Sequence, residues 1–435
     1  MKQSNIFQYV FIGAFVLFAV IGIILFATYR NKSKELEQVP IVMWGTVEED
    51  RMTKFLDEVK TLTGRAYNIN YVEKEAATLD SELVEALASN SGPNVLLLPQ
   101  DLIVRYRERV ITIPYSDTLY TERSFDDTFI DIANLYRVTG GYLALPVSVD
   151  PIVMYYNRDI LNSAGELTPP TNWNQVQALT EKIVRRDAAG NVTRSAVAFG
   201  EYRNVTNAKA VMSMLIMQAG SPIVNPLTYT SVLDQKFDYP LTPAVEAMKY
   251  YANFANPAQK GYSWNRSLPA SIEAFVAGDL AFYFGYASEY SAIRTKNPNL
   301  NFAVTIVPQV QNYRYRATYG QMTGLAIMKD AVNPGLILQV LATLTSRDVV
   351  AIWTKTFGGY PLRNDLLVGT PDNATESVFV ESASIARGWL DPEPNATGPI
   401  FQSLIEAITT SRTTALDAVD GASAELNLIL QKYHD

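Results

Sequence analysis

Residues 41–64 read IVMWGTVEEDRMTKFLDEVKTLTG, and this stretch decides the fold. Its first four residues form an apolar run of strand length, and Thr46 and Glu49 then form a T-x-x-E capping box that predicts the start of a helix. Apolar residues follow at helical spacing, and Gly64 stands where a helix C-cap belongs. These apolar residues are Met52, Phe55, Leu56, Val59 and Leu62. The stretch therefore predicts a strand followed by an amphipathic helix.

The residues that follow repeat this pattern. The pattern predicts a second strand at residues 69–72, a helix at 79–87 and a third strand at 94–98. Alternating strands and helices predict an α/β fold around mostly parallel sheets, with a right-handed βαβαβ unit at its start. Neither G-x-G-x-x-G nor G-x-x-x-x-G-K-[ST] follows the first strand. We therefore expect neither a dinucleotide-binding site nor a protein driven by nucleotide hydrolysis.

The composition excludes several classes of chemistry. The chain has 435 residues, no Cys and a single His, which is His434. Thiol nucleophiles, disulfides, Cys-ligated zinc, iron–sulfur clusters and lipid attachment through Cys are therefore excluded. A Ser–His–Asp triad would have to use the second-last residue, and one His cannot build a His-ligated metal site. What remains is chemistry by carboxylates, amines and hydroxyls, or binding without chemistry.

The charge balance indicates whether the protein is expected to bind nucleic acid. Lys and Arg total 36 against 44 Asp and Glu, which gives a net charge of −8, and the sequence pI is about 5.0. Proteins that bind nucleic acid usually present a basic face, so we expect no nucleic-acid partner. Aromatic residues are plentiful, with 25 Tyr, 18 Phe and 5 Trp. Such a composition suits stacking surfaces as well as ordinary cores.

The N-terminal region carries an uninterrupted apolar run. No charged residue lies between Lys2 and Arg30. A helix needs roughly 20 apolar residues to cross a bilayer core of about 30 Å, and this run is long enough. We expect a transmembrane anchor at residues 6–29, a short cytoplasmic end at 1–5 and a tether at 30–39.

Two further features bear on this span. Cleavage as a signal peptide is the alternative, but the run exceeds the usual apolar core of about 7–15 residues, and Ala27-Thr28-Tyr29 is not a small-x-small site. Arg30, Lys32 and Lys34 follow the span, whereas only Lys2 precedes it. By the positive-inside rule this asymmetry disagrees with an exported main domain.

A second α/β region begins near residue 150. Residues 142–146 and 152–156 are strand-like, and a helix with Trp173, Val176, Leu179 and Ile183 follows. Another predicted strand covers 280–284, and the chain from 334 onward is mainly helical. No internal repeat is evident.

Three groups of short segments occur in a fixed order. The first contains Gly141-Tyr142-Leu143-Ala144-Leu145-Pro146, Tyr155-Tyr156-Asn157-Arg158-Asp159, Ala164-Gly165, Pro169-Pro170 and Asn172-Trp173-Asn174. The second contains Ala274-Phe275, Gly278 and Ala281 to Gly285, and the third is Gly358-Gly359-Tyr360-Pro361. In order and spacing they resemble the extracellular solute-binding proteins of ABC importers, the maltose-binding-protein-like sugar-binding group. Phe282 stands where that family usually has Met.

The resemblance implies a receptor and not an enzyme. Such a protein captures a small solute and delivers it to the transmembrane subunits of an ABC permease, and it needs no catalytic residue, metal or cofactor. A sugar or oligosaccharide is the expected solute, while a peptide, a polyamine or glycerol phosphate stays open. Surface-tethered members usually carry a lipobox Cys, which this chain lacks. The apolar span would replace the lipid, so we expect a single-pass protein of the cell membrane with the bulk of the chain extracellular.

The resemblance also implies a two-lobed α/β fold of the periplasmic-binding-protein type II. We expect the first lobe at 40–149 plus 281–320, and the second at 150–280 plus 321–435 with the C-terminal helices. The expected connections between the lobes lie at Val147-Ser148-Val149, Leu280 to Phe284 and Thr318 to Leu325. Hinges are usually a few positions at element ends that absorb backbone rotation.

Candidate ligand-binding residues come from two arguments. Ligands of open α/β sheets bind outside the carboxyl ends of strands, which nominates Trp44 and Gly45 after the first strand and Gln100 and Asp101 after the third. The resemblance adds Asp150, whose carboxylate would accept hydrogen bonds from two sugar hydroxyls. Core packing is the alternative for Trp44, and a solvated hinge position is the alternative for Asp150.

Further candidates are aromatic or lie in turns. Tyr286 matches a position where relatives often carry an aromatic residue, and Gly359 and Tyr360 precede Pro361 in a turn. Trp264 lies in an irregular polar stretch, which suggests the cleft edge as much as the core. Gln321 is the weakest candidate. Polar groups among aromatic walls are what a specific small-molecule site needs.

Two other functions are weighed against this one. A glycoside hydrolase needs only two carboxylates and stacking aromatics, but with 44 acidic residues a suitable pair could always be found. The second is a ligand sensor that presents its closed form to a membrane partner.

Overall fold

The structure is a computed structural model that describes residues 11, 13–21, 36–311, 315–369, 371 and 373–433. The strands are β1 (Ile41–Gly45), β2 (Ile69–Glu73), β3 (Val95–Pro99), β4 (Ile113–Pro114), β5 (Arg137–Val138), β6 (Gly141–Tyr142), β7 (Leu145–Asn157), β8 (Arg185–Arg186), β9 (Val192–Val197), β10 (Val224–Asn225), β11 (Thr230–Ser231), β12 (Leu280–Tyr286), β13 (Phe302–Thr305), β14 (Thr318–Ile327), β15 (Tyr360–Pro361) and β16 (Ala386–Arg387). The helices are α1 (13–21), α2 (Glu49–Thr63), α3 (Leu79–Ala88), α4 (Ile103–Tyr106), α5 (Glu122–Thr128), α6 (Arg158–Ser163), α7 (Trp173–Ile183), α8 (Ala208–Ala219), α9 (Pro243–Asn253), α10 (Ser271–Ala277), α11 (Tyr290–Lys296), α12 (Pro334–Leu344), α13 (Arg347–Phe357), α14 (Asn364–Leu367), α15 (Ala374–Ser384), α16 (Pro394–Thr409) and α17 (Ala415–Leu430).

One large sheet runs through the molecule. Its strand order is β2-β1-β3-β14-β7-β12-β9-β8, with β13 and β15 also paired to β7 and β16 paired to β14. Strand β1 lies parallel to both β2 and β3, which confirms the predicted βαβαβ unit. The central strand β7 is antiparallel to both β12 and β14, so the sheet is mixed and not mostly parallel as expected.

The first helix after β1 begins and ends for identifiable reasons. The predicted box with Thr46 is wrong, because α2 begins at Glu49 and its N-cap residue Glu48 makes no side-chain cap. The Glu49 N–H instead donates to the Glu73 carboxylate at 2.8 Å, which places a negative charge at the helix N-terminus. At the other end, Gly64 has a φ of 69° and its N–H donates to the Lys60 carbonyl, so the predicted C-cap is confirmed.

Strands β7 and β14 join two lobes. The Leu145–Pro151 part of β7 pairs with β14, and its Ile152–Tyr156 part pairs with β12. Strand β14 pairs through Thr323–Ile327 with β3. We define the first lobe as the part built around β1, β2 and β3, and the second lobe as the part built around β8, β9 and β12.

Residues after 280 are distributed between the lobes differently from the expected division. Strands β12 and β13 pair with the second-lobe part of β7. Helix α13 packs on the first lobe, where the Trp353 and Phe55 ring centroids lie 5.1 Å apart. The C-terminal helices lie on the second lobe, where the Ser231 N–H donates to Asn427 Oδ1 at 2.7 Å. Pairing partners more than 100 residues apart are chosen by tertiary packing, which local periodicity does not encode.

Most of the predicted membrane span and its cytoplasmic end lie outside the described residues. Residues 11 and 13–21 are helical, and their side chains are exposed. In the part of the chain that the structure describes, no single helix is both long and apolar enough to cross a membrane, and the α12–α13 pair, bent by 70°, meets the criteria of length and composition together. Within the predicted tether, Leu36 and Val39 are buried against the core.

Candidate functional site

A cleft of about 480 Å³ opens where the two lobes meet. The first lobe contributes the residue after β1, the start of α3 with the loop before it, and the end of β3 with the helical turns that follow it. The second lobe contributes the start of α16. The joining strands β7 and β14 form its floor through Asp150, Gln321 and Thr323. The other lining residues are Thr46, Ala76, Ala77, Leu79, Asp80, Pro99, Asp101, Leu102, Arg105, Glu393, Pro394 and Asn395.

Asp150 lies on β7 at the centre of this floor. It is the Cα partner of Gln321 on β14, so both side chains are placed by the register of two antiparallel strands. The Ser288 N–H donates to Asp150 Oδ1 at 3.1 Å. Burial raises the pKa of the Asp150 carboxyl from 3.8 to about 6, and the hydrogen bonds from Ser288 offset only part of that rise.

Asp101 follows β3 in a 3₁₀ turn that covers Gln100–Leu102. Burial raises the pKa of its carboxyl, and the nearby Asp391 carboxylate raises it further. The preceding Gln100 is 1% exposed, and its Nε2 donates to the Tyr319 hydroxyl at 3.4 Å. Its Oε1 is buried and has no hydrogen-bond partner among the described residues.

Three half-buried tyrosines lie close to these carboxylates. Burial raises the pKa of Tyr286, and the nearby carboxylates, Asp150 first among them, raise it further. Burial also raises the pKa of Tyr319, with smaller effects that include Asp101. Tyr360 pairs with Val149 on β7, and its hydroxyl donates to Glu376 Oε2 at 3.3 Å. The acids and aromatic rings together suit recognition of a polar small molecule.

Two basic residues, Arg105 and Lys209, make three ion pairs near the cleft. Arg105 of the first lobe pairs with Asp80 at 2.7 Å and with Glu393 of the second lobe at 3.1 Å. Within the second lobe, Lys209 pairs with the nearly buried Asp391 and also donates to Thr397 Oγ1 at 2.5 Å. The Arg105–Glu393 pair joins the lobes, and the Lys209–Asp391 pair holds a buried carboxylate in place.

The structure brings some of the predicted site residues together. Asp101, Asp150 and Gln321 line the cleft. Tyr286 lies close enough for the Asp150 carboxylate to raise its pKa, and Tyr360 is affected in the same way. Gly359 precedes Tyr360 with a φ of 76°, a backbone conformation that favours glycine.

Other predicted residues are placed elsewhere. Trp44 is 8% exposed in β1, and the Lys74 ammonium lies 4.1 Å from its ring centroid. Gly45 is buried against Leu97, where an added Cβ would lie 2.2 Å from Leu97 Cδ1. Trp264 is fully buried in a core cluster of the second lobe with Tyr155 and is not a cleft-edge aromatic. Gln100 lies beneath the lining, behind Asp101.

Several cleft residues were not predicted. Thr46 directly follows β1 and could have been nominated by the same strand-end rule as Gly45. Tyr319 lies two residues before Gln321 on the same strand. Glu393 and Asn395 lie at the start of α16, and no local pattern connects that helix with β7. Only the folded chain brings these segments to one place.

Comparison with known proteins was made on sequence and on fold. The sequence pattern of a family described as "Bacterial extracellular solute-binding protein" matches residues 54–375. A binding protein of Brucella abortus is 25% identical over 320 residues, which are 71% of this chain and 72% of that protein. An ABC transporter-binding protein of Deinococcus radiodurans is 22% identical over 303 residues, which are 66% of this chain and 70% of that protein.

Solved structures share the fold. The cyclic α-maltosyl-1,6-maltose binding protein from Arthrobacter globiformis superposes with a TM-score of 0.74 at 15% identity, covering 91% of this chain and 99% of that one. A cyclo/maltodextrin-binding protein complexed with maltotetraose superposes with a TM-score of 0.70 at 16% identity, covering 91% and 98%. At such identities the likeness concerns the fold.

Proposed function

The chain belongs to the bacterial extracellular solute-binding proteins, and from this premise we propose that it captures a sugar or oligosaccharide between its two lobes and delivers it to the transmembrane subunits of an ABC permease. The matching family and the similar structures are binding proteins and not enzymes, so the glycoside hydrolase alternative is set aside.

One observation carries the proposal. Three polar side chains from distant parts of the sequence, Asp101, Asp150 and Gln321, line one cleft between the lobes. Tyr286 and Tyr319 lie on the two strands that pair with β7 next to Asp150. Apolar faces with a few fixed polar groups are the usual composition of a site for small polar ligands. Two structural neighbours, a cyclo/maltodextrin-binding protein complexed with maltotetraose and a cyclic α-maltosyl-1,6-maltose binding protein, support a sugar as the solute.

Closure of the lobes would couple binding to delivery. A solute that touches both lobes only in the closed form shifts a pre-existing equilibrium towards that form. The cleft has the lining for such contacts, because Thr46 and Asp101 belong to the first lobe and Asn395 to the second. The Arg105–Glu393 pair, at 3.1 Å, is a contact that an open form would lose.

The N-terminal helix would hold the receptor at the membrane. Phe15 and Phe18 of α1 are 70% and 72% exposed, and the apolar run around them carries no charge from Gln3 to Tyr29. Apolar side chains on an exposed helix suit a lipid environment. The proposal places the bulk of the chain outside the cell, with the span in place of the lipid that a lipobox Cys would carry.

Mass spectrometry of small molecules released from the purified full chain, kept in mild detergent, tests the proposal. We expect a sugar or oligosaccharide in a ratio approaching one per chain. The released solute should bind again in a calorimetric titration. If no small molecule is released and no member of a broad solute panel produces heat, the proposed function is wrong.

A further inference from the structure

The charges that line the cleft are unbalanced. Four acidic side chains face a single basic one among the lining residues. The acids are Asp80, Asp101, Asp150 and Glu393, and the base is Arg105. Arg105 already pairs with Asp80 and Glu393, at 2.7 and 3.1 Å. The negative charges of Asp101 and Asp150 therefore have no counter-charge among the lining residues.

Neither of these two carboxylates has an ion-pair partner within 4.0 Å in the described part of the chain. The charge of Lys209 acts on Asp101, but Lys209 is paired with Asp391. Asp150 receives the Ser288 N–H, which is a neutral donor. A desolvated carboxylate without a cation costs free energy, and burial correspondingly raises the pKa of both groups.

The unused hydrogen-bonding groups are acceptors. Ionised carboxylates accept and cannot donate, so Asp101 and Asp150 both call for donors. An ammonium group offers three donors and no acceptor. A sugar hydroxyl offers one donor, and its oxygen is also an acceptor that calls for donors from the protein.

The tyrosines suit the same ligand group. Tyr286 on β12 is the Cα partner of Ile152 on β7, and the Ser288 N–H two residues further on donates to Asp150 Oδ1, so this tyrosine lies beside Asp150. The negative face of an aromatic ring attracts a cation within about 6 Å of its centroid. A neutral sugar could also pack on such rings, but it would leave two buried negative charges without a counter-charge.

We propose that the solute carries a protonated amine, and that Asp150 and Asp101 bind this ammonium group between the lobes. The inference rests on the proposed capture of a small solute between the lobes; an amino sugar would keep the proposed sugar class, whereas a polyamine would replace it. An amino sugar and a short linear polyamine share the required group. An anionic solute such as glycerol phosphate is disfavoured by the same carboxylates.

Calorimetric titration of the full chain in detergent with matched pairs of solutes tests the inference. The pairs are glucosamine and glucose, the β-1,4-linked glucosamine disaccharide and cellobiose, and putrescine and 1,4-butanediol, each at pH 7.5 and equal ionic strength. We expect the amine of at least one pair to bind at least tenfold more tightly than its neutral counterpart. The sugar pairs and the diamine pair distinguish the two sources of the ammonium group.

Two variants connect the preference with the cleft. Asp150→Asn and Asp101→Asn keep the side-chain size but remove the charge, and each should reduce the preference for the amine at least tenfold. Asp117→Asn removes an exposed carboxylate outside the cleft lining and should leave the preference unchanged. Thermal unfolding of each variant checks that it is folded.

The outcomes separate this inference from the proposed function. Equal or tighter binding of the neutral members, or of malto-oligosaccharides added as a further arm, would overturn the inference and leave the proposed function standing. An amine preference that survives in both Asp variants would also overturn it. Absence of binding by every solute would overturn both the proposed function and the inference.

Discussion

Arg105 Nη1 lies 3.1 Å from Glu393 Oε1, and this pair joins the first lobe to the second across the cleft. Both side chains are about one-quarter exposed, at 26% and 27%, so water screens the pair only in part. Both residues also line the cleft, so the contact lies beside the place where a solute would bind. The pair is therefore suited to stabilise the closed form.

Replacing Glu393 with Gln should weaken solute binding by about two- to fivefold, because ion pairs of this exposure contribute roughly 0.5–1 kcal/mol. The effect should shrink as salt is added. Titration of the solute that co-purifies with the chain measures the change. Glu122→Gln is the control, since its pair with Arg137 lies within the first lobe. An unchanged dissociation constant in Glu393→Gln would exclude a role of the pair in closure.

The stability of the solute-free protein should depend on Asp150 and on pH. Its carboxyl has a pKa of about 6 in the folded protein against 3.8 normally, so the folded state binds the proton more tightly. The stabilisation by this group is complete below about pH 4 and is lost as the pH rises through about 6. The free energy of unfolding of Asp150→Asn, relative to that of the unmodified chain, should therefore rise by up to about 3 kcal/mol between pH 4 and pH 7.5.

Urea unfolding of both proteins at several pH values measures this difference. The change of this difference with pH does not contain any constant effect of the Asn amide on the free energy of unfolding. Asp117→Asn, exposed and outside the cleft, should show no such trend. A pH-independent difference for Asp150→Asn would contradict the raised pKa.

Lys209→Met should lower the free energy of unfolding by about 2–4 kcal/mol, because it leaves the Asp391 carboxylate buried without its cation. The Asp391 side chain is 8% exposed, and Thr397 remains as a neutral donor. Lys249→Met is the matched control, since Lys249 and Glu246 are both exposed, and it should change stability by less than about 0.5 kcal/mol. Equal effects of the two substitutions in urea unfolding would show that Asp391 does not depend on Lys209.

Gly324→Ala should destabilise the protein by about 1–3 kcal/mol, because the joining strands leave no room for a methyl group. An added Cβ would lie 2.8 Å from the Leu145 carbonyl oxygen and 2.9 Å from the Tyr136 ring. Gly335→Ala is the control, since its added Cβ would meet nothing within 4 Å. Urea unfolding compares the two. Equal stability of both variants would show that the strands tolerate the methyl group.

The periodicity of residues 41–98 was sufficient to predict the first three strands and the helices between them, because each is a local pattern. The helix start at Glu49 could not be read in the same way, since its N–H is satisfied by Glu73 from another strand. The pairing partners of the strands after residue 280 could not be predicted for a similar reason. The chain returns to β3 through β14 only after more than 200 residues.

For the site, the strand-end rule and the resemblance together predicted Asp101, Asp150 and Gln321 in the cleft. Composition could not distinguish a cleft aromatic from a core aromatic, and Trp264 proved to be fully buried. Glu393 could not be predicted, because its place beside Arg105 depends on how the C-terminal helices pack on the second lobe.

The central claim is that a solute binds between the lobes with Asp150 as a direct ligand, and a calorimetric titration of the co-purified solute into the unmodified chain and into Asp150→Ala tests it most directly. We expect one site per chain and a loss of binding free energy of about 1–3 kcal/mol in Asp150→Ala, or about 5- to 150-fold in the dissociation constant. Asp117→Ala should bind as the unmodified chain does. Unchanged affinity in Asp150→Ala would contradict the account, because it would place the solute away from the floor of the cleft.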